Sequence, residues 1–112
     1  MNVRTQALLW TAQRVSAMVL ALCVVAHLAT MIYAVRHGLS AAEILGRTHG
    51  NHAWLAFYAA FVAAIAIHAP IGVRTILAEW LGWRGAVVDF ALFVLGIALA
   101  LWGWRAAFAV FG

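Results

Sequence analysis

The sequence I-H-A-P-I-G-V-R-T-I-L-A-E-W-L-G-W, from Ile67 to Trp83, begins inside an apolar run and ends in a charged segment that tryptophans bracket. Such a change is typical of the place where a transmembrane helix passes from hydrocarbon into the interfacial region. His68 precedes this exit by about a turn and a half of helix. Because an ionisable side chain is costly in hydrocarbon, its presence there indicates a functional site.

The composition around this stretch predicts an integral membrane protein. Of 112 residues, 68% are hydrophobic and 9% are charged, and the mean hydropathy is +1.02. A soluble domain of this size cannot cover so much apolar surface. The net charge of +4 comes from seven arginines that form no basic face, which favours roles in topology and lipid contact and argues against nucleic acid as a partner. The single cysteine, Cys23, is expected to be a small packing residue.

Three apolar segments are each long enough to cross a bilayer. The sequence therefore predicts an all-α membrane protein with a single domain over residues 1–112, in which helix I covers about 10–35, helix II about 53–73 and helix III about 86–108. A short helix is predicted from Ser40 in the first connection, and Pro70 is expected to bend helix II. Helix III carries small residues at a spacing that lets helices approach closely, namely Gly96, Ala100, Gly103 and Ala107.

The distribution of arginines predicts the orientation of the chain. Four lie on one side of the membrane and three on the other, which favours a cytoplasmic N-terminus. The first group is Arg4, Arg14, Arg74 and Arg84, and the second is Arg36, Arg47 and Arg105.

Two histidines fall within the predicted spans, at different depths. Counted from the proposed cytoplasmic edge, His27 lies roughly 18 Å deep and His68 roughly 7 to 8 Å deep. Imidazole is a common axial ligand of haem iron. Two axial ligands of one iron lie at the same height, so these residues fit two haems, or one haem and one structural histidine. Each haem would need a second imidazole from another chain.

The helical faces that carry these histidines suit a flat macrocycle. His27 shares its face with small and weakly polar residues, whereas His68 shares its face with aromatic and small ones. The alternative is that each histidine hydrogen-bonds a neighbouring helix. The residues that share the His27 face are Ala12, Ser16, Cys23, Thr30 and Ala34, and those that share the His68 face are Phe57, Phe61, Ala64 and Gly72. The other histidines lie in or beside the first connection and are expected to be solvated, namely His37, His49 and His52.

Three segments carry a resemblance to a known family. Two carry it by motif, W-T-A-Q-R-V-S-A-M-V-L-A-L-C-V-V-A-H-L at residues 10–28 and H-A-P-I-G-V-R-T-I-L-A-E-W at residues 68–80, and the third, L-G-W-R-G at residues 81–85 followed by helix III, is similar in layout. The chain resembles a membrane-anchor cytochrome b subunit of the succinate dehydrogenase and fumarate reductase family. The resemblance implies that the three helices form half of an anchor bundle, which a copy of the chain or a sister subunit completes.

The resemblance also implies roles for individual residues. His68 matches the proximal haem b ligand, and His27 matches the distal ligand of anchors with two haems. Arg14 matches an arginine near the quinone and the haem propionates. Ser16 occupies the Ser/Thr position of the motif that starts the first helix, although Ala17 replaces the usual glycine. Near the exit of helix II, Glu79 retains an acidic residue and Trp80 replaces a tyrosine that bonds quinone in some members.

The implied function is electron transfer between membrane quinone and peripheral subunits that hold FAD and iron–sulfur clusters. One or two haem b groups per anchor pair, in a bacterial-type inner membrane, would carry the electrons. His68 and His27 would bind haem iron, Arg14 and Arg74 the propionates, and Arg14, Ser16, Glu79 and Trp80 the quinone.

Three alternatives stay open at this stage. The arginines would instead contact lipid phosphate, and Glu79 would pair with Arg84 or Arg74. An anchor with little or no haem would pass electrons directly from cluster to quinone. A small transport or assembly protein would work through helix packing alone.

Overall fold

The computed structural model describes residues 2–112 and consists of helices joined by short connections. This confirms the all-α fold class. The elements are α1 at Val3–His37, α2 at Ala41–Thr48, α3 at His52–Ile76, a π-helical turn at Leu77–Leu81 and α4 at Ala86–Phe111. Three of these segments are long and apolar enough to cross a membrane, at Val3–His37, His52–Leu81 and Ala86–Phe111.

Helix α1 begins earlier than the sequence analysis placed it, at Val3 instead of near residue 10. The side-chain oxygen of Asn2 accepts a 2.8 Å hydrogen bond from the backbone N–H of Thr5, which caps the first turn. Neither glycine nor proline occurs between Asn2 and the apolar run, so the helix continues from the interface into the hydrocarbon. It ends at Gly38, whose φ of 137° favours glycine.

Helix α2 is the short helix predicted after Ser40. Ser40 caps it, because its hydroxyl accepts a 3.2 Å hydrogen bond from the backbone N–H of Glu43. A glutamate three positions after the capping serine is also the sequence pattern of a capping box. Its C-terminal end is fixed to α4: the Thr48 hydroxyl donates to the carbonyl of Val110 at 2.8 Å. The connection is therefore held against the end of the last span.

Helix α3 continues beyond residue 73, where the sequence analysis ended it. It runs through Pro70 to Ile76 and then widens into the π-helical turn, which ends at Gly82 with φ 69°. The charged residues of this stretch mark the membrane boundary, not the end of the helix. Because neither glycine nor proline occurs between Gly72 and Gly82, the helix continues past the charged residues.

Helix α3 lies between α1 and α4, and the small residues predicted to allow close approach lie at its contact with α4. A Cβ atom on Gly96 would be 3.2 Å from the carbonyl oxygen of Ala66, and one on Gly103 would be 2.7 Å from a methyl of Val62. Ala107 is only 3% exposed. Close approach of backbones is the main source of attraction between helices in lipid.

Most large apolar side chains are exposed, others are half-buried, and within residues 2–112 only Leu92 among them is buried. The buried residues are mainly small and include Cys23, as expected. A surface of this kind suits lipid or other membrane helices. The exposed large side chains include Leu22, Val25, Trp80, Val87, Phe90 and Trp102.

The three spans run between two ends of the structure, the N-terminal side and the α2 side. The N-terminal side contains the start of α1, the end of α3 and the start of α4, and the α2 side contains the opposite ends of the three spans together with α2.

Candidate functional site

His68 lies in the interface between α1 and α3, toward the N-terminal side. Its Nδ1 is 3.4 Å from the hydroxyl oxygen of Ser16, and this hydroxyl donates a 3.1 Å hydrogen bond to the carbonyl of Gln13. Ser16 is 4% exposed, whereas His68 is half-buried. Within residues 2–112, no hydrogen bond involves Nε2 of His68, so this nitrogen is available to a ligand.

His27 lies in the same interface, toward the α2 side. Its ring meets the edges of two aromatic rings of α3, with centroid distances of 6.0 Å to Tyr58 and 5.6 Å to Phe61. Its Nδ1 is buried and has no hydrogen-bond partner in the part of the chain that the structure describes. An unpaired polar atom in an apolar interior is costly, which marks His27 as a candidate ligand-binding residue.

The two histidines lie at different heights of one helix interface. His68 is level with Ser16, while His27 is level with Phe61. Ser16 and His27 are eleven positions apart on α1, which corresponds to roughly 16 Å along the axis. One metal centre cannot bind both side chains.

The faces that carry the histidines differ from the sequence-based expectation of open walls for a macrocycle. They contribute to the packing of α1 on α3, where Ser16 meets His68 and Phe61 meets His27. Helical periodicity identifies a face but not the neighbour that covers it. A flat group would therefore reach these imidazoles from the edge of the interface, where both are partly exposed.

A cleft of about 610 Å³ opens on the N-terminal side, near Gly72 and one turn of α3 beyond His68, which does not line it. Arg14 and Arg74 both line this cleft. The guanidinium of Arg14 lies 5.2 Å from the centre of the Trp10 ring, at a cation–π distance. The polar residues and the tryptophan that line the cleft are Gln6, Trp10, Gln13, Arg14, Arg74 and Thr75.

The other residues assigned to quinone do not line this cleft. Ser16 is buried against His68. Glu79 and Trp80 lie on the π-helical turn, where Trp80 is 80% exposed. The structure thus places Arg14 and Ser16 close to the interface of α1 and α3, and Glu79 and Trp80 on the outer surface of the N-terminal side.

The pairing suggested for Glu79 is wrong. Arg74 instead donates from Nε to a carboxylate oxygen of Asp89 at 2.9 Å, and Arg84 contacts the carbonyl of Ala78 at 3.4 Å. No ion pair joins Glu79 to either arginine within residues 2–112. The sequence analysis did not identify Asp89 as the partner of Arg74. The position of Asp89 in the first turn of α4, close to the end of the preceding span, could have indicated this pair.

A second cleft, of about 640 Å³, lies beside His27 on the α2 side. Arg47 of α2 lines it, donates to the carbonyl of Gly38 at 3.0 Å and lies 5.4 Å from the centre of the Tyr33 ring. The sequence analysis gave Arg47 no role beyond topology. His27 thus lines a cleft together with an arginine, whereas the cleft nearest His68 is lined by two arginines but not by His68 itself.

The remaining histidines are exposed, as expected. His37 stacks on Tyr33 with ring centroids 4.1 Å apart, and His52 meets Phe111 edge to face. Among residues 2–112, no three histidine, cysteine or acidic side chains are grouped so as to hold a metal ion. A haem iron needs only one or two protein ligands, so the two intramembrane histidines are the relevant candidates.

Comparison with protein families shows a match to the succinate dehydrogenase/fumarate reductase transmembrane subunit over residues 1–107. Neither curated proteins nor solved structures give a match. The matched region includes all three membrane spans except the end of α4, together with both intramembrane histidines. The resemblance seen in the sequence is thereby confirmed: the chain is an integral membrane protein that belongs to the family of succinate dehydrogenase and fumarate reductase transmembrane subunits.

Proposed function

We propose that this chain is a haem b-containing membrane anchor that passes electrons between a peripheral dehydrogenase and membrane quinone. Membership of the family implies association with a flavoprotein subunit and an iron–sulfur subunit. The observation that carries the haem assignment is His68, which is anchored through Nδ1 and leaves Nε2 without a protein partner in the described chain.

The residues present fit a haem at the level of His68. An axial imidazole needs one free ring nitrogen, and its other nitrogen is normally held by a hydrogen bond that fixes the ring. His68 meets both conditions with respect to Ser16. Arg14 and Arg74 line the adjacent cleft, and a guanidinium binds a carboxylate through two parallel hydrogen bonds, which suits haem propionates.

His27 fits a second haem on the α2 side. Its buried Nδ1 has no partner among residues 2–112, and the cleft beside it has space and an arginine, Arg47. Each iron would take its other imidazole from a second anchor chain, which would be a copy of this one or a sister subunit. The three spans would then form half of the anchor bundle.

Quinone is assigned to the N-terminal side, where Arg14 lines a cleft with apolar and polar walls. Ser16 lies two residues further along α1, and its hydroxyl already bonds His68 and Gln13. Glu79 and Trp80 are exposed, so they would contact quinone only where another subunit covers the π-helical turn. The iron–sulfur subunit would dock there if this side faces the cytoplasm of a bacterial-type inner membrane.

The haem, when bound, supplies one-electron redox chemistry, and the protein supplies binding and electrostatics. His68 and His27 would hold haem at two depths, so that electrons could be carried through both halves of the membrane. Arg14 and Arg74 offset the negative charge of propionates in a region of low dielectric. The apolar surface of the spans excludes water and keeps the carriers within the bilayer.

A haem-free anchor is the second candidate, and the contact between Ser16 and His68 supports it. A histidine that only bonds a neighbouring helix would brace α1 against α3, and electrons would pass directly from cluster to quinone. The difference between the candidates is optical, because only a haem protein has a b-type absorbance.

The experiment is a reduced-minus-oxidised spectrum of the complex purified with its natural partner subunits. We expect a b-type absorbance that is lost or strongly reduced in His68→Ala. His37→Ala is the matched control, because His37 is exposed and stacks on Tyr33, and its spectrum should equal that of the wild type. A colourless wild-type complex that still reduces quinone would establish the haem-free anchor instead.

A further inference from the structure

We propose that Ser16 is a positioning residue that fixes the tautomer of His68, with the proton on Nδ1 and the lone pair on Nε2. The relevance to haem rests on the proposed function, whereas the tautomer itself is a property of the protein alone. The three groups involved form a short relay across the α1–α3 interface: the imidazole of His68, the hydroxyl of Ser16 and the carbonyl of Gln13.

The direction of the relay follows from the number of protons on its members. A serine hydroxyl has one proton, and the carbonyl of Gln13 can only accept. The Ser16 hydroxyl donates to that carbonyl at 3.1 Å, and its distance to Nδ1 of His68 is longer, at 3.4 Å. With its proton directed at Gln13, the oxygen of Ser16 can only accept from His68. A hydrogen bond between this oxygen and Nδ1 therefore requires the ring proton on Nδ1 and leaves the lone pair on Nε2, since the bond that one ring nitrogen makes sets the state of the other.

Burial makes the relay effective. Ser16 is 4% exposed and is one of the few buried polar side chains of the described chain, so water does not compete for its hydroxyl. A buried hydroxyl that loses its partner is costly, and the relay satisfies the oxygen of Ser16 on both sides. An exposed serine at the same distance would impose no such preference.

The register of α1 on α3 is fixed close to the relay. A Cβ on Gly72, four positions after His68, would lie 3.3 Å from the side-chain nitrogen of Gln13. This glycine lets the amide of Gln13 pack directly on α3 beside the carbonyl that Ser16 bonds. The helices are thus in van der Waals contact at the level where the relay forms, which limits movement of Ser16 relative to His68.

His27 provides an internal contrast. It lies on the same helix interface, but its Nδ1 has no partner among residues 2–112. The nearby hydroxyl of Thr30 bonds the carbonyl of Ala26 at 2.8 Å and no histidine. The relay is therefore specific to His68, and removing a hydroxyl elsewhere on α1 should leave His68 unchanged.

The test is nitrogen NMR of the full-length chain, labelled with ¹⁵N-histidine and prepared without haem in lipid nanodiscs. Signals of His68 are identified by their loss in His68→Gln. We expect Nδ1 to be protonated and Nε2 unprotonated in the wild type, and the preference to be lost or inverted in Ser16→Ala. Ser16→Thr, which keeps the hydroxyl, should restore it, and Thr30→Ala should have no effect.

Haem titration of the same variants gives a second readout. Loss of a hydrogen bond to a ligating histidine typically weakens metal binding about 10- to 100-fold, and we expect a loss of this order in Ser16→Ala. Protonated Nε2 in the wild type, or equal tautomers in wild type and Ser16→Ala with native helicity, would overturn the proposal. If the wild type binds no haem, the proposed function fails, but the NMR result still decides the role of Ser16.

Discussion

The side chains of Arg74 and Asp89 join α3 to α4 on the N-terminal side, through a 2.9 Å hydrogen bond from Nε to a carboxylate oxygen. The pair stands at one end of an apolar groove of about 600 Å³ formed by α1, α3 and α4. Arg74 also lines the cleft nearest His68. One arginine thus links the packing of the last two spans to the candidate cofactor site.

Replacing Asp89 by Asn should affect the cofactor site more than it affects stability. The two side chains are 34% and 51% exposed, and ion pairs this exposed contribute at most about 1 kcal/mol. The change removes a negative charge next to Arg74, which should raise the midpoint potential of a haem bound in the neighbouring cleft. Redox titration and thermal unfolding of the purified complex measure the two effects. A large drop in stability with an unchanged potential would show that the pair serves packing alone.

The general architecture was predictable because it depends on local properties of the chain. The lengths of the apolar runs determine how many spans there are, and the small residues of the third span identify its packing face. Ser40 followed by Glu43 marks the start of α2. These features act within one helix or across one contact, and the structure has them where the sequence analysis expected them.

The details of the site were not predictable, since they depend on how the helices are rotated against each other. The sequence placed Ser16 and His68 on suitable faces but did not show that these faces meet. Asp89 pairs with Arg74 because α3 stays helical past the membrane boundary and α4 begins beside it. Hydropathy indicates where a segment leaves the lipid, but it does not predict the π-helical turn that carries Glu79 and Trp80.

Gly103→Ala should destabilise the contact between α3 and α4. Its Cβ would lie 2.7 and 2.8 Å from the two methyl groups of Val62, so a helix or the valine must shift, at a cost of about 1 to 3 kcal/mol. The double variant with Val62→Ala should recover most of the loss. Equilibrium unfolding in mixed detergent measures both. Gly46→Ala is the control, since Gly46 is helical with nothing within 4 Å; equal losses at the two glycines would contradict the close approach.

Thr48→Val should release α2 from the end of α4. The Thr48 hydroxyl is 8% exposed and lies 2.8 Å from the carbonyl of Val110, which would lose its partner, at a cost of about 1 to 3 kcal/mol. Hydrogen exchange should become faster in residues 44–50, including the amide of Gly50 that bonds Phe111. Thr75→Val is the matched control, because Thr75 is exposed and bonds only its own helix. Unchanged exchange in Thr48→Val would mean that other contacts hold α2.

The ratio of haem to chain tests whether both intramembrane histidines bind iron. If they do, a pair of anchor chains that are copies of each other contains two haems, and the purified complex has one haem per chain. His27→Ala should then lower the ratio to one half and leave the haem of His68 spectrally unchanged, because the two histidines lie at different heights of the α1–α3 interface. The exposed His49 provides the control variant, His49→Ala, with an unaltered ratio. Half a haem per chain in the wild type would remove His27 from the ligands, and its buried Nδ1 would then need another partner.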